Sequence, residues 1–212
     1  RSVLTSIATA DGQLWVGGHD GVILHSADGG QKWIAQRRDP FQLAEGEQAA
    51  DHDPRQGAPV LDLHFWDASH GIAIGSHSLM LLTSDGGRTW TAKQALASSA
   101  AASAPAAQMD GDLFSAEDLQ LDDEADPHFN AVASAGANSL VIVGERGTLL
   151  RSDDAGANWK RLPFPYKGSM FGVLWLGGDR LLAYGLRGNV FESGDGGNSW
   201  RKLDSHGSTS LM

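Results

Sequence analysis

Hydrophobic positions in this 212-residue chain come in short runs, each cut off by glycine or a polar cluster. One run covers 3–7, with matching runs at 60–66, 129–133 and 170–175. A second follows at Leu14-Trp15-Val16, Ile72-Ala73-Ile74, Leu140-Val141-Ile142-Val143 and Leu181-Leu182-Ala183-Tyr184. A Gly-bounded tetrapeptide comes next: Gly18-His19-Asp20-Gly21, Gly75-Ser76-His77-Ser78, Gly144-Glu145-Arg146-Gly147 and Gly185-Leu186-Arg187-Gly188. A third short run then leads into a polar box. No run has helical length, and β-branched and aliphatic residues dominate, so each run predicts a strand and each glycine cluster a turn.

The box reads Ser/Thr-x-Asp-x-Gly-x-x-Trp. Its fixed positions are Ser26, Asp28, Gly30 and Trp33; Thr83, Asp85, Gly87 and Trp90; Ser152, Asp154, Gly156 and Trp159; and Ser193, Asp195, Gly197 and Trp200. An aspartate followed closely by glycine predicts a tight turn, with the carboxylate accepting backbone N–H groups and glycine supplying positive φ. The tryptophan opens the next strand and offers a large apolar face for burial. These residues are read as structural.

Each repeat is therefore four strands. The last two boxes lie 41 residues apart, and units of that length in series are the sign of an all-β fold, a β-propeller of four-stranded antiparallel blades. The blades fall at about 1–36, 59–93, 128–163 and 168–204, with inserts at about 37–58 and 94–127. Residues 205–212 resemble the start of a further or closing strand, so the chain reads as part of a larger disc or, less usually, a closed four-bladed ring. An open stack would leave exposed edges.

With strands named A to D from the centre outwards, the boxes are C–D turns and share one face with the A–B turns. The Gly-bounded tetrapeptides are B–C turns and share the other face with the D–A links, where both inserts lie. Variable residues on a fixed scaffold are where binding concentrates. Arg146 and Arg187, with His19, Asp20 and His77, are thus the candidate partner-binding residues. The two arginines could receive a carboxylate or a phosphate, or could simply be solvated or paired with the acidic insert.

Charge changes the picture little. The formal net charge is −10, but eight acids and no lysine or arginine fall between Gln94 and His128, and the remainder is close to neutral. The first half of that insert is Ala/Ser-rich; a short helix is expected around 114–121. Its acids lack calcium-loop spacing. No cysteine is present, which excludes disulfides and thiol chemistry. No His-x-x-x-His or carboxylate–histidine pattern supports a metal, and no cofactor or nucleic acid is expected. No stretch is apolar enough to span a membrane. The chain opens at Arg1 without a signal-peptide pattern, as a mature or trimmed product would.

The unit Gly-x-x-Gly followed by two hydrophobic residues and the box resembles the bacterial-neuraminidase (Asp-box) repeat. With Gly-Glu-Arg-Gly and Gly-Leu-Arg-Gly ahead of the box, it is most similar to the photosystem II assembly/stability factor family. That resemblance covers the chain apart from the inserts. It implies a non-catalytic, seven-bladed propeller outside the cytoplasm, periplasmic in a bacterium, that binds protein partners during assembly of a membrane complex. The chain departs from the pattern in showing four blades and in carrying His77 and Ser78 where the second blade would have arginine and glycine.

The competing reading is a sialidase-like or other glycoside hydrolase. It would need two spaced carboxylates, for which Asp62 and Asp67 are the best candidates, or a tyrosine nucleophile, for which only Tyr166 and Tyr184 exist. A carbohydrate-binding module would use Trp66 and Trp175 as stacking platforms, although inter-blade packing accounts for both.

Overall fold

The computed structural model describes residues 3–38, 57–95, 126–205, 207 and 209–211. Most of both inserts, with the helix expected around 114–121, lies outside the described residues. What is described forms four antiparallel four-stranded sheets. Blade 1 is β1 (Leu4–Ala10), β2 (Gln13–Gly18), β3 (Ile23–Ser26) and β4 (Ile34–Arg37). Blade 2 is β5 (Val60–Phe65), β6 (Gly71–Gly75), β7 (Met80–Thr83) and β8 (Thr91–Ala92). Blade 3 is β9 (Phe129–Ala135), β10 (Ser139–Gly144), β11 (Leu149–Ser152) and β12 (Lys160–Arg161). Blade 4 is β13 (Met170–Gly177), β14 (Arg180–Gly185), β15 (Val190–Ser193) and β16 (Arg201–Leu203).

Strand alternation gives every sheet two apolar faces, and successive blades stack them. Blade 1 turns Ala8, Trp15 and Ile23 onto Val60, Leu63 and Phe65 of blade 2. The other face of blade 2, with Ile72, Ile74 and Met80, meets Phe129 and Val132 of blade 3. Blade 3 then presents Ala131, Val141 and Leu149 to Met170, Val173 and Leu181 of blade 4. β1 packs on β5, β5 on β9 and β9 on β13. The core thus lies between blades rather than at one centre.

The turns fold as their chemistry dictates. In every box the hydroxyl of Ser26, Thr83, Ser152 or Ser193 is buried and donates to the aspartate, at 2.8–2.9 Å. The same oxygen accepts the N–H of Gly30, Gly87, Gly156 or Gly197 at 2.8–2.9 Å. Those glycines have φ of 83–92°, where a Cβ would be strained. Removing the hydroxyl leaves a buried N–H without its acceptor. Ser152→Ala should therefore cost about 1–3 kcal/mol, read as a lower urea midpoint with an unchanged slope.

The aspartates hold the next turn. Asp85 accepts the Thr89 hydroxyl at 2.7 Å and its N–H at 2.9 Å; Asp195 does the same with Ser199 at 2.6 and 2.8 Å. Those side-chain donors, then the backbone ones, pull both carboxyls down to about 2. A depressed carboxyl contributes stability above its unfolded pKa, about 3.9, and loses it as pH falls through the folded value. Melting temperature should therefore drop between about pH 4 and pH 2, and less steeply in Asp195→Asn.

Tryptophans of boxes 2–4 do pack: Trp90, Trp159 and Trp200 lie against the clusters joining their own blade to the one before. Trp33 is 40 % exposed, because no described blade precedes blade 1.

Candidate functional site

The two ends of the blades are fixed by backbone pairing. Box amides of Gly86 and Gly196 bond the A–B turn carbonyls of Ser69 and Asp179 at 2.7 and 2.8 Å, so boxes and A–B turns share a face. On the opposite face, the N–H groups of His19, Ser76, Glu145 and Leu186 donate to Val3, Pro59, His128 and Ser169, the residues just before each strand A. Such close approach explains the glycine that opens each B–C turn. A Cβ at Gly75, Gly144 or Gly185 would strike the carbonyl of that preceding residue.

The third residue of each B–C turn, its apex, lies in the left-handed region, as does the residue after it: Asp20 (φ 63°), His77 (φ 54°), Arg146 (φ 55°) and Arg187 (φ 58°) hold the apex. All four side chains are exposed. The scaffold thus repeats one backbone shape and varies what it displays: acid, imidazole, guanidinium, guanidinium. Asp20 and Arg146 both engage neighbours within the chain. The Arg187 N–H donates to the Ser210 hydroxyl at 3.2 Å, which draws the segment after blade 4 across this turn. Leu211 N–H also reaches Gly185 O at 3.1 Å. The described residues of 205–211 form no strand. His19, exposed beside Asp20, completes the named set.

His77 belongs to a cluster that strand patterns do not reveal. Its ring lies 5.3 Å from that of His128, and His128 Nδ1 stands 3.8 Å from Glu145 Oε1. The Ser78 N–H and hydroxyl both donate to Pro127 O, at 2.9 and 3.1 Å, so the end of the acidic insert is pinned beside the second B–C turn. Ser78 itself has φ 54° where the other turns use glycine. Relieving that strain against the loss of one hydroxyl bond, Ser78→Gly should be neutral to stabilising by up to about 1 kcal/mol in thermal denaturation.

The enzyme candidates are occupied otherwise. Asp62 Oδ1 accepts the Ser6 hydroxyl at 2.6 Å and its neighbour Leu63 N–H at 2.9 Å, and Oδ2 accepts Val132 N–H at 2.9 Å. It clasps three blades. Two residues along the same strand, His64 Nε2 meets Ser134 Oγ at 2.6 Å, another inter-blade contact. Asp67 caps an exposed turn by accepting Ser69 and His70 N–H, both at 2.7 Å. Its Oδ2 also pairs with His70 Nδ1 at 2.9 Å, a carboxylate–histidine pair where the sequence pattern predicts none. Tyr184 lies across Gly172, and Tyr166 packs into the core between blades 3 and 4. Trp66 packs between blades 2 and 3, and Trp175 sends Nε1 to Gly178 O at 2.6 Å.

A cleft of about 240 Å³ on the box face is lined by Arg151, Asp153, Trp159 and Lys160. Its charges satisfy one another: Asp153 lies 2.7 Å from Arg151 and 3.0 Å from Lys160. Among the described residues, no group of three or more histidines and carboxylates could hold a metal ion, and no helix is long and apolar enough to cross a membrane.

Four sheets stacked face to face through their inner strands, with all B–C turns on one side, define a β-propeller seen in part. Within that class the chain is similar to photosystem II stability/assembly factors. It is 30% identical over 133 residues to HCF136 of Oryza sativa, a chloroplastic stability/assembly factor; the match covers 61% of this chain and 26% of that protein. It is 30% identical over 105 residues to the photosystem II assembly lipoprotein Ycf48 of Synechococcus, covering 50% of this chain and 24% of the relative. The chain thus spans about a quarter of the curated relatives it matches. A solved YCF48 bound to D1 peptide superposes with TM-score 0.53 at 26% identity, over 68% of this chain and 40% of that one. YCF48 from Cyanidioschyzon merolae gives TM-score 0.59 at 19% identity, over 95% and 56%. A GH74 xyloglucanase from Xanthomonas campestris gives TM-score 0.58 at 17% identity, over 93% and 29%, a likeness of fold alone. No protein-family model matches the chain.

Proposed function

We propose that the chain is a sector of an Asp-box β-propeller that works outside the cytoplasm as a non-catalytic scaffold. Its B–C/D–A face receives a protein segment from a membrane-associated complex. One observation carries this reading: four turns hold their apex residues in one backbone conformation and display different charges from it. Arg146 and Arg187 occupy that apex in adjacent blades, where two guanidinium groups suit a carboxylate-bearing peptide. The relatives named as assembly factors, and the solved YCF48 with its D1 peptide, point the same way. Catalysis has no matching support, since Asp62 is spent on inter-blade bonds and Asp67 on its own turn.

Charge reversal of both arginines (Arg146→Glu with Arg187→Glu) should cut partner recovery in a pull-down by about ten-fold or more, as loss of charge-assisted bonds does. Unchanged recovery would refute the assigned face. Turnover of aryl glycosides by the purified chain would refute the non-catalytic reading.

A further inference from the structure

The link from blade 3 to blade 4 carries an exposed cation, Lys167, that lies outside every repeated motif. Its backbone is held on both sides. Before it, the Tyr166 ring packs into the core between the two blades. After it, Gly168 O accepts the N–H of Gly147 at 3.2 Å, and Ser169 O accepts that of Leu186 at 3.0 Å. Gly147 follows Arg146 and Leu186 precedes Arg187, so this link joins the two arginine turns. A Cβ on Gly147 would come within 3.5 Å of Lys167 Cα. Lys167 therefore stands beside the Arg146 turn, on the link that runs from it to the Arg187 turn.

The charge placement is particular to this junction. Pro127 O accepts the Ser78 N–H as Gly168 O accepts the Gly147 N–H, so Asp126 holds the place of Lys167 between blades 2 and 3. Pro59 O accepts the Ser76 N–H as Ser169 O accepts the Leu186 N–H, so Gly57 holds it between blades 1 and 2. The neighbouring apex residues there are His77 and Asp20. Among the described junctions, the one between blades 3 and 4 alone sets lysine beside arginine. Arg146 engages a neighbour within the chain, and Glu145 next to it bonds to His128. Neither the Lys167 ammonium nor the Arg187 guanidinium has a hydrogen-bonding or ion-pair partner among the described residues.

We propose that Lys167 completes a three-cation site with Arg146 and Arg187, and that this site takes a partner segment bearing two neighbouring carboxylates. The inference rests on the reading of the B–C/D–A face as the partner face and adds a residue and a ligand pattern to it. In a chain of formal net charge −10, cations left without a counter-charge are matched by an anionic partner. A single carboxylate occupies one arginine fork, and the lysine then offers a separate point charge to a second. Phosphate sites draw on converging backbone N–H groups. Here the N–H groups of Glu145, Gly147, Leu186 and Arg187 are all spent within the chain. Recognition falls to the side chains, which suits carboxylates.

Fluorescence anisotropy with labelled glycine/serine peptides tests this on the whole 212-residue chain. One probe carries two adjacent aspartates, a second a single aspartate, a third a single phosphoserine. The paired probe should bind about ten-fold tighter than the single-aspartate probe. Lys167→Ala should weaken the paired probe about ten-fold and leave the single-aspartate probe within about two-fold. Lys167→Arg should keep the preference, and Lys32→Ala, on the box face, should change neither. Equal binding of the two aspartate probes would overturn the proposal, as would a paired probe that fails to bind. Tightest binding by the phosphoserine probe, or by anionic phospholipid vesicles, would overturn it too. Paired-probe binding that needs Arg146 and Arg187 but ignores Lys167 would overturn this inference and spare the partner face. Binding indifferent to Arg146→Glu with Arg187→Glu would strike the face itself.

Discussion

Trp15→Ala should be the most damaging single truncation in the first half of the chain, lowering stability by about 3–5 kcal/mol. Trp15 is completely buried between blades 1 and 2. Its ring stacks on Phe65 with centroids 3.7 Å apart, and its Nε1–H donates to Gly86 O at 3.0 Å. Alanine removes the stack, opens a cavity that the flanking sheets cannot fill without moving, and leaves Gln36 Nε2 as the remaining donor from blade 1 to Gly86 O in the box of blade 2. The loss should appear in urea denaturation. Because blades depend on their neighbours, amide exchange should rise first in blade 1, whose other face is covered by no described residue. Trp15→Phe, which retains a ring for Phe65 but drops the indole N–H, should recover more than half of the difference.

Asp62→Ala should cost about 2–4 kcal/mol for a different reason. Its carboxylate is an acceptor shared by three blades, through Ser6, Leu63 and Val132. Alanine leaves two backbone N–H groups and a hydroxyl facing an apolar gap. The Val132 amide should lose exchange protection, which separates loss of this clasp from general loosening. Burial pushes the Asp62 carboxyl up despite its three donors. Its contribution to stability is therefore largest below the unfolded carboxyl pKa and is lost as pH rises through the folded one, the reverse of Asp85 and Asp195. The Asp62→Ala deficit should be larger at pH 4 than at pH 7.

Turn chemistry is local, and it was legible. Eight consecutive residues carry each box's donors, acceptors and glycine, so the sequence sufficed to orient the turns and thereby to separate the two faces. The Gly-bounded B–C turns were legible for the same reason. What joins the blades was not. Thr5 and Asn130 occupy the same bulged position in blades 1 and 3, and each donates to the first strand-A carbonyl of the next blade, Val60 and Met170, at 2.5 and 2.9 Å. That equivalence appears only when the A–B registers are aligned across blades. Trp33 and Trp90 make the same point from the other side. Their motif position is identical, yet Trp33 lacks a preceding blade, and Trp90 Nε1 has no hydrogen-bond partner among the described residues, unlike the three other box indoles. For the exposure of Trp33 the neighbouring blade decides, not the box. The His77–His128–Glu145 cluster was hidden because its members come from two blades and the link between them. The Asp67–His70 pair had a visible signal, acid and histidine three apart in a turn, that a search for metal spacing passes over.

Site-specific photo-crosslinking in the native host tests the central claim most directly. A photoreactive residue placed at Arg187, on the B–C face, should form an adduct with one membrane-complex protein. The adduct should be suppressed by Arg146→Glu. The same residue at Lys32, on the box face, should yield none. Adducts from Lys32 with the same protein, or none from the B–C face under conditions where the complex assembles, would contradict the account.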